Sequence, residues 1–422
     1  MERFSEHTTE KAVLAGLNAD CFTPEETATP RSLDELEALL ETAGGQCVGK
    51  LLQNRPTPDP HSFVGEGKAE ELRQMLQDSG ATMVVFDNAL SPSQIRALEE
   101  ITHARVLDRS ALILDIFAQR AKTREGKLQV ELAQYQYYLP RLTVWNEEMG
   151  RLGGGIGTRG PGETQLETDK RHIRARIDKL RGELTEVRRV RAVQRERRVK
   201  NATPVVALVG YTNAGKSTLL NALTDAGIAA NDRLFDTLDT TTRKLRVSDH
   251  LEVLLSDTVG FIAKLPHHLV EAFKATLEEL QYADLLLHVI DASDPQCQAH
   301  IAVVDRLIAQ LARPETPVLR CYNKVDLLED MRNFPVGEQN IPMCARNGVG
   351  MDELLFRIEQ TLTGALHHVT LLLPYSEGGA IAALHEQAQV HRVEYLSEGI
   401  EVELTCNDEL YGRYRRFAKE AS

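Results

Sequence analysis

Short apolar runs alternate with helical periodicity along the first 124 residues. Three runs have the length and composition of strands: 46–52, 82–86 and 104–107. Three neighbouring segments repeat apolar residues every three or four positions, as helices do: 33–42, 69–77 and 91–101. This alternation is typical of helices packed on a mostly parallel sheet. The pattern predicts a small α/β domain over residues 1–124.

Two long amphipathic helices are predicted next, over residues 125–200. Apolar residues recur at spacings of three and four along both: Leu128, Leu132, Tyr135, Leu139 and Leu142 in the first, and Ile173, Ile177, Leu180, Leu184 and Val187 in the second. Heptad spacing of this kind lets two helices pack along a shared seam. We expect an antiparallel hairpin with a kink at Pro140 and a glycine-rich tip at 151–163.

The second helix of this pair is strongly basic. Residues 169–200 carry thirteen Lys or Arg and five Asp or Glu, a net charge of +8, while the chain as a whole has −13. Exposed helix charges often pair with one another four residues apart, but five acids cannot pair thirteen bases. We therefore predict contact with a polyanion, and we expect RNA contacts at Arg151, Arg159, Arg171 and Arg174, although the tip could also be a simple connector.

Residues 203–365 begin with a strand, a glycine loop and a helix. The loop Gly210-Tyr-Thr-Asn-Ala-Gly-Lys-Ser217 follows the apolar run 205–209 and precedes a helical pattern at 216–223. That context is required of a phosphate-binding loop, whose backbone N–H groups and helix N-terminus face the phosphates. Lys216 should reach the β- and γ-phosphates, and the Ser217 hydroxyl should ligate Mg²⁺. The loop alone fits an ATPase, a kinase or a GTPase.

Three later segments narrow this choice. Asp257-Thr-Val-Gly260 follows the strand-like run 251–256, where Asp257 would hold Mg²⁺ through water and the Gly260 N–H would sense the γ-phosphate. Thr242, or alternatively Thr241, would close over the nucleotide as a metal ligand. Asn323-Lys-Val-Asp326 ends a further strand, where the Asp326 carboxylate can accept both N–H groups of guanine. Together these segments predict a GTPase domain with a mixed, mostly parallel sheet.

The last predicted base contact is the turn formed by Cys344, Ala345 and Arg346. We expect the guanine nucleotide, GTP or GDP, to be bound by the following residues: Gly210, Tyr211, Thr212, Asn213, Ala214, Gly215, Lys216, Ser217, Thr218, Asp257, Thr258, Val259, Gly260, Asn323, Lys324, Asp326, Cys344, Ala345 and Arg346. Within the site, Lys216, Thr242 and Gly260 are the predicted catalytic residues.

Two positions in this domain shape the expected rate of hydrolysis. Phe261 stands where many switch GTPases carry a glutamine that orients the attacking water, so slow intrinsic turnover and stimulation by a partner are expected. Asn213 could help to bind K⁺ near the phosphates, or it could be an asparagine selected for turn geometry.

The remaining features limit the class of protein. Residues 366–422 read as strand, helix, strand, strand and helix, a small α+β domain without a chemical motif. Six dispersed cysteines suggest neither a zinc site nor disulfides, and we expect no membrane span. The chain therefore reads as an α/β multidomain protein of the cytoplasm, with peripheral membrane attachment left open. We expect a monomer, because nothing in the sequence demands a dimer.

The chain resembles the HflX family of ribosome-associated GTPases. The resemblance rests on four segments: 108–120, 127–133, 153–163 and 209–217. It implies an N-terminal domain and helical linker that bind the large (50S) ribosomal subunit and its rRNA. It also implies GTP-dependent dissociation of stalled or stressed 70S ribosomes into subunits. The chain departs from the family pattern at Asp236, Thr240, Cys344 and Arg346. These differences affect how the threonine segment closes over the nucleotide and how tightly the nucleotide binds, but not the class of protein.

Three other functions share parts of this pattern. A GTPase of large-subunit assembly would have the same nucleotide motifs, an RNA-remodelling NTPase could use ATP through the N-terminal domain, and a nucleotide-gated anti-association factor would need no turnover. Gly65-Glu-Gly-Lys68 gives the second of these little support, because it lacks the longer loop and the Ser or Thr of a phosphate site.

Overall fold

The computed structural model describes residues 9–23, 26–142, 161–200, 203–224, 234–235, 242–248, 251–258, 260–264, 278–328, 337, 339–363, 366–377 and 379–419. The chain divides into two compact units. The first unit comprises 1–185, 231–239 and 262–274, and the second comprises 186–230, 240–261 and 275–422.

A four-stranded parallel sheet forms the centre of the first unit. Its strands, in chain order, are β1 (Lys11–Ala19), β2 (Gln46–Arg55), β3 (Met83–Phe86) and β4 (Arg105–Asp108), and they lie in the order β2-β1-β3-β4. Its helices are α1 (Pro30–Ala43), α2 (Glu66–Ser79), α3 (Pro92–Thr102) and α4 (Arg109–Arg120). Strands that are buried on both faces read as continuous apolar runs, and every residue of β3 is buried. The sequence prediction of an α/β domain is confirmed.

Local sequence signals explain where these helices begin. Thr29 and Ser91 cap α1 and α3, each with a reciprocal hydrogen bond to the residue three positions later and a proline at the start of the helix. Such capping boxes satisfy backbone N–H groups that the helix leaves without an internal acceptor. Asp108 ends β4 and caps α4 by accepting the N–H of Ala111 at 2.9 Å, so strand and helix join without a loop.

Two helices, α5 (Arg124–Tyr138) and α6 (Pro161–Lys200), form the predicted pair. Ile177, Leu180 and Leu184 of α6 and Leu128 and Leu132 of α5 are all buried. Half of the predicted seam residues are therefore buried, and the ion pairs Arg176–Glu131 and Arg124–Glu183 join the two helices. Helix α5 ends two residues before Pro140, and α6 begins at Pro161, so the last three residues of the predicted glycine-rich tip are helical.

The second unit holds a six-stranded sheet. Its strands are β5 (Val205–Gly210), β6 (Thr242–Arg246), β7 (Glu252–Asp257), β8 (Leu285–Asp291), β9 (Val318–Asn323) and β10 (Asn340–Pro342). They lie in the order β10-β9-β8-β5-β7-β6, and only the β6–β7 pair is antiparallel. The described helices of this domain are α7 (Lys216–Thr224), α8 (Cys297–Leu311) and α9 (Met351–Thr363). The expected mixed, mostly parallel sheet is confirmed.

The chain ends in a small antiparallel sheet. Strands β11 (Leu366–Leu373), β12 (Gln389–Leu396) and β13 (Gly399–Asn407) lie in the order β11-β13-β12, with α10 (Gly379–Gln387) and α11 (Asp408–Tyr414) beside them. Its core contains the buried Leu371, Leu384, Val402 and Leu404. The predicted α+β arrangement is confirmed. Nowhere in the described part of the chain is a helix both long enough and apolar enough to cross a bilayer.

Candidate nucleotide site

The glycine loop connects β5 to α7 in the second unit. Gly210 has a φ of +156° and Gly215 a φ of +96°, values that side chains other than glycine rarely allow. A Cβ atom at position 210 would fall 2.2 Å from the carbonyl oxygen of Val289. Both glycines of the motif are therefore required by the backbone, as the sequence pattern predicts.

Lys216 lies beneath this loop, and 6% of the residue is exposed. Its ammonium donates to the carbonyl oxygens of Gly210 at 3.0 Å and Tyr211 at 2.7 Å. Burial lowers the pKa of Lys216 to about 8, while the Asp257 carboxylate acts in the opposite direction. A buried cation close to the loop backbone is suited to bind a phosphate anion, which would restore its full charge.

Ser217 and Asp257 come together at the carboxyl edge of the sheet. The Ser217 hydroxyl donates to Asp257 Oδ2 at 3.4 Å, and Asp257 is fully buried. A hydroxyl and a carboxylate oxygen are ligands that Mg²⁺ accepts, so these residues fit the predicted metal. Thr242 begins β6 and pairs with Ser256, the residue before Asp257, with the two hydroxyl oxygens 3.4 Å apart. Thr241 lies outside the described residues.

Asn323 links the glycine loop to the predicted base-binding turn. Its amide donates to the carbonyl oxygen of Ala214 at 2.9 Å, and its side-chain oxygen accepts the N–H of Ala345 at 2.9 Å. The turn that starts at Val325 leaves Asp326 exposed to solvent. The phosphate and base halves of the site are thus joined through one buried amide. Cys344 is buried and Arg346 is exposed.

Lys324 is held by a residue that the sequence analysis missed. Its ammonium donates to Asp291 Oδ2 at 2.6 Å, and Asp291 is the last residue of β8. The sequence signal that identified Asp257 also applies to Asp291. Each is an acid at the end of a buried strand, at the edge of the sheet where ligands bind. The ion pair joins the end of β8 to the residue that follows Asn323.

The predicted switch residue Phe261 is buried and pairs with the glycine loop through its backbone. Its N–H donates to Gly210 at 3.1 Å, and its carbonyl oxygen accepts the N–H of Thr212 at 2.7 Å. A Cβ atom at Gly260 would lie 3.1 Å from the Lys216 ammonium nitrogen. The Gly260 backbone therefore lies next to the cation that is predicted to hold the γ-phosphate.

An aromatic contact inside this unit was also not predicted. The Tyr211 ring stacks on the His300 imidazole of α8, with centroids 3.8 Å apart and ring planes 9° apart. The two residues are 89 positions apart in sequence, so no local pattern joins them. The stack fixes the second residue of the glycine loop against α8.

Other predicted residues are placed as follows. Asn213 is exposed with a φ of +60°, the left-handed region that asparagine tolerates. Thr218 lies in the first turn of α7, and the Thr258 hydroxyl donates to the carbonyl oxygen of Leu208 at 2.6 Å. Arg171 and Arg174 are exposed on α6. Val259, Arg151 and Arg159 lie outside the described residues, as do Asp236 and Thr240.

A second group of charges lies at the carboxyl edge of the sheet in the first unit. Arg109 Nη1 donates to Asp87 Oδ1 at 2.7 Å, Arg109 Nη2 pairs with Glu35, and Lys264 pairs with Asp87 Oδ2. We call these four residues the strand-end charge cluster. Burial lowers the pKa of Lys264, which Asp87 opposes. Two cations and two anions thus compensate one another in a site where an unpaired charge would be costly.

Known protein families match most of the chain. Residues 30–118 match a family described as GTP-binding GTPase N-terminal, and residues 120–198 match GTP-binding GTPase Middle Region. Residues 205–324 match a family described as 50S ribosome-binding GTPase. The three matches fall on most of the α/β domain, on the helical pair and on most of the glycine-loop sheet, respectively.

Two relatives that match this chain over most of their length are both GTPases named HflX. The chain is 47% identical over 409 residues to GTPase HflX of Caldanaerobacter subterraneus, covering 97% of this chain and 94% of the relative. It is 45% identical over 393 residues to GTPase HflX of Escherichia coli, covering 92% of each. A crystal structure of SsGBP in complex with GDP shares the fold, with a TM-score of 0.50 and 22% identity over 84% of this chain and 99% of that one.

Proposed function

Because the chain belongs to the HflX family of GTPases, we propose that it binds the large ribosomal subunit and that its GTP form separates ribosomes into subunits. The single observation that carries the nucleotide part is the Asn323 bridge, which ties the glycine loop at Ala214 to the turn at Ala345. Such a bridge makes phosphate binding and base binding parts of one site. Asp326 follows on the same loop and supplies the carboxylate that selects guanine.

The glycine loop and Lys216 bind the phosphates in this proposal. The Lys216 ammonium exchanges its bonds to Gly210 and Tyr211 for the β- and γ-phosphate oxygens, since a charged acceptor makes the stronger bond. Ser217, Asp257 and Thr242, or Thr241 in its place, hold Mg²⁺, which neutralises charge on the phosphates when bound. The turn of Cys344, Ala345 and Arg346, whose Ala345 N–H is held by Asn323, lies beside the base in this proposal.

Hydrolysis is proposed to be slow in the isolated protein and faster on the ribosome. The Phe261 side chain is buried and its backbone is paired with the glycine loop, and an aromatic ring cannot orient water in any case. Asn213 is exposed at the loop, where its amide oxygen could join a K⁺ ion that compensates phosphate charge. The ribosome would order the segments that contain Thr242 and Gly260 around the nucleotide and so raise the rate of hydrolysis.

The charge on helix α6 supports the proposal that the protein binds RNA. Its exposed Arg171 and Arg174 lie on the segment with a net charge of +8, while its Ile177, Leu180 and Leu184 are buried. The charged face is therefore directed away from the helical seam, as a phosphate-binding surface must be. Binding of GTP and of the ribosome would be reciprocal. If GTP raises the affinity of the protein for the ribosome, the ribosome must raise its affinity for GTP by the same factor.

The decisive experiment follows ribosome dissociation by light scattering. Intact bacterial ribosomes are mixed with the protein and GDP, GTP or a non-hydrolysable GTP analogue, in K⁺ or Na⁺ buffer. Dissociation is expected with GTP and with the analogue, but not with GDP. The reason is that the free energy for dissociation comes from tighter ribosome binding by the GTP-bound form than by the GDP-bound form, and not from hydrolysis. Dissociation with GTP alone would contradict this mechanism, and faster turnover in K⁺ than in Na⁺ would support the role of Asn213.

A specificity variant provides the matched control. Asp326→Asn can accept the ring N–H of xanthine and donate to its additional oxygen, so this variant should dissociate ribosomes with xanthosine triphosphate and not with GTP. If neither protein dissociates ribosomes but both bind immature large subunits tightly, the chain acts in subunit assembly. RNA-stimulated ATP hydrolysis that survives Asp326→Ala would instead favour an RNA-remodelling enzyme.

A further inference from the structure

Thr212 places a hydroxyl group inside the nucleotide site that no role described so far uses. The residue is 6% exposed. Within the described part of the chain, its Oγ1 atom is buried and has no hydrogen-bond partner. Buried hydroxyl groups are nearly always hydrogen-bonded, and leaving one without a partner costs free energy in the folded protein. A retained hydroxyl of this kind calls for a functional explanation.

The position of this side chain is set by its neighbours. A Cβ atom built at Gly260 would lie 3.0 Å from Thr212 Cγ2 and 3.1 Å from Lys216 Nζ. The Thr212 side chain and the Lys216 ammonium therefore both lie against Gly260. That is the place where the γ-phosphate of a bound nucleotide would meet its cation. Because Cγ2 and Oγ1 share one Cβ atom, the hydroxyl is within one side-chain rotation of the same space.

Two contacts fix the Thr212 backbone. Its N–H donates to the carbonyl oxygen of Phe261 at 2.7 Å, and the preceding residue, Tyr211, is stacked on His300. The residue that replaces the usual glutamine thus holds Thr212 by its backbone while its own side chain is buried. With the backbone fixed, one rotation about the Cα–Cβ bond is the freedom that the hydroxyl must give up to reach this space, which favours its use in a transition state.

We propose that Thr212 is a catalytic residue whose hydroxyl hydrogen-bonds the attacking water, in the role that the glutamine has in other switch GTPases. The inference rests on the proposed GTPase function. In the step, the water oxygen forms a bond to the γ-phosphorus, and the bond from that phosphorus to the β–γ bridging oxygen breaks. The bridging oxygen keeps the electron pair on GDP, and a water proton ends on inorganic phosphate. Thr212 aligns the water and gains or loses no proton overall.

The test compares Thr212→Val, which keeps the shape and removes the hydroxyl, with Thr212→Ser, which keeps the hydroxyl. Single-turnover GTP hydrolysis is measured in K⁺ buffer with intact ribosomes, and the dissociation constant is measured with a non-hydrolysable GTP analogue. We expect Thr212→Val to lower the rate at least about tenfold, as loss of a hydrogen bond to a reacting group does, with affinity changed less than threefold. Thr212→Ser should stay within about threefold of the parent rate.

A matched control removes another buried hydroxyl of the same unit. Thr316 is 9% exposed and lies after α8, outside the glycine loop, so Thr316→Val should hydrolyse GTP at the parent rate. The proposal is overturned if Thr212→Val hydrolyses GTP as fast as the parent, if it loses affinity as much as rate, or if Thr212→Ser is equally slow. A parent protein that binds GTP but never hydrolyses it would overturn the GTPase proposal together with this one.

Discussion

Gly215 lies directly against the side chain of Asn323, because a Cβ atom at position 215 would fall 2.2 Å from Asn323 Nδ2. The same amide donates to Ala214 and its oxygen accepts from Ala345. One glycine therefore permits the contact through which the loop and the base-binding turn are joined.

Substitution of this glycine should uncouple the two halves of the site. Gly215→Ala displaces Asn323 and places a side chain at a φ of +96°, at a cost of about 1–3 kcal/mol. We expect GDP affinity to fall at least about tenfold in a fluorescence titration, with the sheet still folded. Gly182→Ala on α6 is the control, since its Cβ would meet nothing within 4 Å. Unchanged GDP affinity in Gly215→Ala would show that the Asn323 bridge is dispensable.

Nucleotide binding should weaken in alkaline solution because of Lys216. Its pKa in the free protein is lowered to about 8, and a phosphate requires the charged ammonium. Below that pKa the affinity should be flat. As pH rises above it, the dissociation constant for GTP should increase about tenfold per unit, because binding must first return a proton to the amine. Calorimetry between pH 7 and 9 in buffers of different ionisation enthalpy would detect that proton uptake.

Lys216→Arg is the control for this pH dependence. A guanidinium stays charged throughout the range, so this variant should bind GTP more weakly than the parent but with an affinity that is nearly independent of pH. The same slope in both proteins would assign the effect to the nucleotide and would contradict the role given to Lys216.

In the helical pair, apolar packing should contribute more to stability than the ion pair across it. Leu180 is fully buried, while Arg176 donates from Nε and Nη2 to one oxygen of Glu131 in a pair that is about one-third exposed. Leu180→Ala should cost about 2–5 kcal/mol, and Glu131→Gln about 0–1 kcal/mol, since exposed pairs gain little. Hydrogen exchange at α5 amides measures both. A larger loss for Glu131→Gln would reverse this ranking.

How far the sequence predicted the fold depended on the strength of each local pattern. The apolar runs at 46–52, 82–86 and 104–107 became β2, β3 and β4 with boundaries shifted by a few residues. Strand β1, the partner of both β2 and β3, was missed, because its run from Lys11 to Ala19 is rich in alanine and glycine, which have little strand preference. Its place in the sheet comes from tertiary burial.

In the nucleotide site, too, the local motifs were predicted and the contacts between distant residues were not. The glycine loop, Asp257 and Asp326 were predicted, because nucleotide chemistry demands particular residues at fixed spacing. The stack of Tyr211 on His300 and the hydrogen bonds of Asn323 to Ala214 and Ala345 join residues far apart in sequence. Only the folded sheet, which brings the carboxyl ends of its parallel strands to one edge, places them together.

The strand-end charge cluster depends on the same edge in the N-terminal sheet. Arg109 starts α4 and is 2% exposed, and it contacts both Asp87 and Glu35. Lys264, four residues after Gly260 in sequence, pairs with Asp87. Arg109 thus contacts both acids of the cluster.

We expect Arg109→Met to destabilise the first unit more than Lys264→Met. Loss of Arg109 removes the cation that contacts both Glu35 and the buried Asp87, which should lower the free energy of opening by about 3–5 kcal/mol. Loss of Lys264 leaves Asp87 bonded to Arg109 and should cost about 1–2 kcal/mol. Hydrogen exchange at the β3 amides reads this unit separately from the second. Equal losses would mean that Lys264 is as necessary to the cluster as Arg109.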